Sequence, residues 1–169
     1  MDSVSYYFSN EFGDIYAVKI SRITHGFLAD ETYRLLGEKQ LEIWDIILVR
    51  DGWKTKITPL HLLSDISKAI ADFYMSHQNV ILYFQCDDME DVPMSASKRK
   101  EGVTVQKYRS VLFSDMFERQ MKTYDLPAVN YPVFFDACGN EVYIHFMALE
   151  KYLDVVDIIK DDVTECYSK

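Results

Sequence analysis

The residues of this chain that could do chemistry gather between Val80 and Tyr124, where an apolar run, Val80-Ile81-Leu82-Tyr83-Phe84, leads into Cys86-Asp87-Asp88. Ligands of sheet-and-helix proteins collect where strands end and helices begin, so this junction is the first place to look. Asp87 and Asp88 offer two carboxylates to a divalent cation, but such a site needs further oxygen donors, and helix capping or a pair with Arg109 is the favoured account of them. Cys86 has nucleophilic potential, yet no histidine stands near it, and a strand position predicts burial with a raised thiol pKa. Lys98-Arg99-Lys100 would grip a phosphate or an acidic partner, or simply form a solvated loop. The candidate binding residues are thus Asp87, Asp88, Lys98, Arg99, Lys100 and Arg109. His25, His61, His77 and His145 lack any His-x-x-x-His spacing, and His145 falls within a strand-like run, which predicts a hydrogen-bonded structural histidine. No catalytic residue and no metal site is expected.

The composition narrows the setting in which these residues act. A chain of 169 residues fits one domain, 1–169, and at this size folding buries roughly 70% of the unfolded surface. With 27 acidic against 18 basic residues the formal net charge is −9, a field against which a phosphate-tracking surface would have to be built. Nucleic acid is an unfavoured partner. Cys86, Cys138 and Cys166 are odd in number and widely spaced, which reads as reduced thiols in a cytoplasmic protein. The start Met1-Asp2-Ser3-Val4 lacks a basic region before an apolar core, and no apolar run is long enough to span a bilayer, so neither secretion nor a membrane is expected.

The elements that must position these residues are legible from period and punctuation. Val4–Ser9 and Ile15–Ile20 flank Asn10-Glu11-Phe12-Gly13-Asp14 as a hairpin. A short helix is expected over Phe27–Leu36, stopped by Gly37. Leu41–Arg50, apolar at almost every position, predicts a strand covered on both faces, with Asp51-Gly52 turning it back into Trp53–Ile57. Thr58 then caps a helix with Pro59 at its first position and Leu60, Leu63, Ile66, Ile70 and Phe73 on one side. Asp88–Thr104, mixed in charge and punctuated by Pro93 and Gly102, predicts a mobile loop. From Val105 the rows Tyr108, Leu112, Met116 and Phe113, Phe117, Met121 give a helix with a wide buried face. Tyr131–Phe135 and Glu141–Met147 make a further hairpin about Ala137-Cys138-Gly139-Asn140, and Leu149–Val163 a last amphipathic helix. The sum is an α+β fold with one mainly antiparallel sheet of about six to seven strands and three to four helices.

The helix, strand, helix, hairpin order from Thr58 to Met147 resembles the second half of the GNAT acyltransferase fold. That resemblance implies acetyl-CoA as cofactor, with its anionic groups near Lys54, Lys56 and Thr58. The family's turn before the central helix is glycine-rich, so that backbone N–H groups approach the coenzyme A pyrophosphate. Lys54-Thr55-Lys56-Ile57-Thr58-Pro59 has no glycine, and Pro59 has no N–H to give, so weak or absent coenzyme binding is expected. The Cys86-Asp87 strand end, the Arg109-x-x-Leu112-Phe113-x-x-x-Phe117 helix, the Tyr6-x-Phe8 hairpin and the Thr58 helix together resemble a family of small bacterial proteins of unknown function. The segment between Asp87 and Arg109 is longer here than in that pattern. The resemblance implies a bacterial or phage-borne intracellular protein. Small size, acidity and the lack of a catalytic set favour a non-catalytic interaction or regulatory domain, of adaptor or immunity type, whose partner is another protein; a divergent N-acyltransferase is the alternative.

Overall fold

In the computed structural model, which describes residues 2–52, 54, 58–77, 79–86 and 94–167, six strands form one open sheet. The first hairpin is as expected: β1 (Ser3–Ser9) pairs antiparallel with β2 (Ile15–Arg22). The helix that follows, α1 (Asp30–Glu38), starts and ends later than its sequence signals suggest. Gly37 lies inside it, and Gln40 takes the left-handed conformation beyond its end, with φ +53°. β3 (Glu42–Asp51) then pairs antiparallel with β2 from Trp44 to Asp51.

β3 is not covered on both faces, because Ile47 and Val49 are 42% and 48% exposed. The expected return strand Trp53–Ile57 falls largely outside the described residues. The neighbours of β3 are β2 on one edge and β4 (Val80–Cys86) on the other. The crossover between β3 and β4 is α2 (Leu60–Ser76), which makes the two strands parallel. Pro59, not Thr58, sits at the N-cap of α2, and no side chain caps that end.

The expected loop contains a short helix, α3 (Ala96–Lys100), whose Ser95 hydroxyl accepts from the Lys98 N–H. Residues 87–93 lie outside the described residues. α4 (Val105–Tyr124) is capped by the Thr104 hydroxyl and ends at Asp125, φ +50°. β5 (Ala128–Ala137) and β6 (Asn140–Leu149) form the last hairpin around Cys138 and Gly139, both at positive φ, and the described residues end with α5 (Leu153–Tyr167). The described chain therefore has five α-helices, one or two more than expected.

The strand order is β1-β2-β3-β4-β6-β5, mixed because β3 and β4 are parallel and every other neighbouring pair is antiparallel. α2 and α4 pack together on one face, over a core that includes Tyr16, Val18, Ile20, Trp44 and Leu82. α1 and α5 cover the other face over Ile43, Ile81, Ile144 and Phe146. Strand alternation assigns each residue to one of these two layers.

Candidate functional site

The β3–β4 ladder is short. It runs from Glu42↔Val80 to Asp45↔Tyr83 and stops there, although β3 continues to Asp51 and β4 to Cys86. Each strand stays held on its outer edge, β3 by β2 as far as Ile15↔Asp51 and β4 by β6 as far as Cys86↔Tyr143. Among the described residues nothing pairs their inner edges beyond that rung, and between the two strands lies a cleft of about 280 Å³. Its walls carry Ile46, Leu48, Phe84 and Arg109 toward the α2/α4 layer and Asp45, Ile47, Tyr83 and Gln85 toward the α5 layer. The cleft thus reaches both faces of the sheet.

The polar groups in it are few and their environments differ. Arg109 projects from α4, is 4% exposed, and holds its guanidinium carbon 5.8 Å from the centre of the Phe84 ring. Phe84 is in turn stacked on Phe113 with centroids 4.3 Å apart. Across the sheet, burial pushes the Asp45 carboxyl up to about 6, against a smaller opposing effect of the Ile46 backbone hydrogen bond. Burial also drives the Tyr83 phenol well above the usual tyrosine range. Gln85 fixes that corner: its Oε1 accepts from Tyr83 at 3.2 Å and from Tyr167 of α5 at 2.6 Å. An ionisable carboxyl poised near neutrality beside neutral phenols is suited to taking a proton.

The residues singled out from sequence are dispersed. Of the described candidates, Arg109 alone lines the cleft. Asp87 and Asp88 lie outside the described residues. Lys98, Arg99 and Lys100 are exposed on α3, where Lys98 Nζ bonds Glu101 Oε2 at 3.1 Å. Of the proposed anion-binding set, Lys56 is outside the described residues and Lys54 is exposed. Thr58 is 8% exposed, and its hydroxyl shares a hydrogen bond with the Tyr16 hydroxyl at 3.0 Å, so it is committed to the core. Cys86 is buried in the core, and no two of the three cysteines are bonded to each other. Among the described residues no cluster of His, Cys, Asp and Glu could hold a metal, and no helix is long and apolar enough to cross a membrane.

Two buried polar networks flank the cleft. Asp14 and Arg50 pair at 2.8 Å with both side chains wholly buried. The Asp14 carboxylate also accepts from Asn10 Nδ2 at 3.0 Å and from the Lys54 N–H at 2.8 Å, tying the β1–β2 loop to the stretch that leads into α2. Gly52, φ +89°, passes so close that a β-carbon there would lie 3.1 Å from Asp14 Oδ1. On the far side of β4, His145 is wholly buried, with Nε2 2.8 Å from Ser110 Oγ and Nδ1 2.9 Å from Asn130 Oδ1. Burial lowers its pKa to about 4, so the ring is neutral, accepting from Ser110 and donating to Asn130. This is the structural histidine expected for a strand position.

Sequence reasoning overlooked Asp45, Tyr83 and Gln85. Asp45 did carry a signal, as the lone carboxylate within the apolar run Ile43–Val49. No family model matches the chain, and neither a curated protein nor a solved structure is significantly similar to it.

Proposed function

We propose that the protein is a divergent N-acyltransferase that takes an acyl thioester of the acetyl-CoA type in the β3–β4 cleft. The observation that carries this reading is the parallel pair that parts after Asp45↔Tyr83 while both strands continue. Diverging strands turn unpaired backbone N–H and C=O groups toward each other, and an extended ligand with its own amides can add to those edges as a further strand would. Support also comes from the order of α2, β4, α4 and the β5–β6 hairpin, which is the order that resembles the GNAT fold.

In this reading an acceptor amine attacks the thioester carbonyl carbon from the Asp45 side. The C–N bond forms, the C–S bond breaks, sulfur leaves as the thiolate, and the Asp45 carboxylate accepts the proton lost by nitrogen. Arg109, on the opposite face, supplies positive charge near the developing oxyanion. In this reading Thr58, whose hydroxyl is bonded to Tyr16, is not called on as an anion ligand, and Lys54 is the described cation at the entry to α2. Calorimetric titration with acetyl-CoA, followed by mass analysis of a primary-amine acceptor, tests the reading.

A second reading, a protein-interaction domain, has one specific observation behind it. Tyr7, Ile15, Ile47 and Val49 are 72%, 44%, 42% and 48% exposed on the same face of β1–β3, the half of that face left uncovered by α1 and α5. Exposed apolar area of this kind marks a partner surface. Light scattering of Ile47→Glu against the parent protein tests it, with loss of a larger species as the supporting result.

A further inference from the structure

Between α2, α4 and the sheet lies a cavity of about 30 Å³, lined by residues that include Val18, Leu63, Ile70, Leu112 and Met116. Among the described residues, every side chain around it except Arg109 is a hydrocarbon or a thioether. It adjoins the β3–β4 cleft, since Ile46, Leu48, Phe84 and Arg109 line both spaces. A dry apolar space with a polar mouth selects a ligand of matching build: a polar carbonyl group in the cleft with a short hydrocarbon tail beyond it.

We infer that the acyl group this protein accepts is longer than acetyl, a saturated chain of about four carbons whose last two methylene-sized groups occupy the cavity. The inference rests on the acyltransferase reading and names its donor. The size follows from the volume: a space of about 30 Å³ holds roughly two water-sized groups, which is the difference between an acetyl and a butanoyl chain. Nothing on the cavity wall offers a hydroxylated or charged tail a hydrogen bond apart from the Arg109 end, so hydroxyl-bearing chains of equal length are disfavoured.

The test is parallel calorimetric titration of the full chain with acetyl-CoA and butanoyl-CoA, repeated on Met116→Trp, a half-buried position whose larger ring fills the cavity. Leu112→Phe replaces it if circular dichroism shows that Met116→Trp does not fold. The expected result is butanoyl-CoA binding on the order of tenfold tighter than acetyl-CoA, with the preference abolished in the filled variant. Equal affinity for the two thioesters overturns the inference and leaves the acyltransferase reading standing. A butanoyl preference that survives cavity filling overturns the placement of the chain. Failure of both thioesters to bind overturns the inference together with the reading beneath it.

Discussion

Asp45 and Tyr83 form the last rung of the parallel ladder between β3 and β4, and both line the cleft that opens immediately beyond it. Burial acts on both in the same sense, favouring the protonated form of each. The rung at which the sheet divides therefore carries two titratable groups whose pKa burial raises.

Acyl transfer should follow the ionisation of Asp45. The carboxyl must be deprotonated to accept a proton, so the rate should climb with pH below about 6 and level off above it. Asp45→Asn should lower the plateau roughly 100-fold and remove the inflection. A pH–rate profile of both proteins checks this, and an unchanged inflection in the variant would assign it to another group.

Stability should fall on acidification because of His145. Its pKa is lowered from 6.5 to about 4 in the folded protein, so between those values the unfolded chain binds a proton that the folded chain refuses. The stabilisation is complete above about pH 6.5 and declines toward pH 4, by about 3 kcal/mol for this group alone. Asp45 works in the opposite sense. Its raised pKa gives stability that is full below 3.8 and lost as pH rises through about 6. Urea unfolding across pH 4–7 should therefore show a shallower acid loss in His145→Gln and a steeper one in Asp45→Asn.

The Asp14–Arg50 pair should be costly to break from one side. Asp14→Ala removes the wholly buried carboxylate that pairs with Arg50 and should cost roughly 3–5 kcal/mol. Adding Arg50→Met removes the buried guanidinium as well and should restore part of the loss, as read from a double-mutant cycle of unfolding free energies.

α3 has no buried residue and carries Lys98, Arg99 and Lys100 in five residues. Limited trypsin digestion should cut there before it cuts at Lys39 or Lys151, with N-terminal sequencing of the first fragments as the readout.

Local signals sufficed for much of the fold. The first hairpin, α2, α4 and the β5–β6 hairpin follow from alternation, helical spacing and turn chemistry, and the Cys138-Gly139 turn has both residues at positive φ, as a two-residue hairpin requires. The β3–β4 pairing was not legible, because two strands separated by a helix carry no local mark of partner, direction or the rung where they part. The close approach of Gly52 to Asp14 was hidden for a related reason, since that contact exists only once the β1–β2 loop is in place. Of the residues marked for a site, Arg109 reached the cleft because it shares the buried flank of α4 with Phe113. Asp45 escaped notice because its value lies in its burial, which the run of apolar neighbours hinted at and the folded sheet supplies.

The most direct test of the acyltransferase reading is calorimetric titration of acetyl-CoA into the parent protein and into Ile47→Trp, a half-exposed cleft position where a larger ring narrows the opening between β3 and β4. With α2 begun by Pro59 and Thr58 held by Tyr16, the coenzyme lacks a glycine-rich cradle, and a dissociation constant of about 10–100 μM is predicted for the parent, weakened at least tenfold in the variant. No detectable binding to the parent at about 1 mM acetyl-CoA, near −4 kcal/mol, would contradict the account.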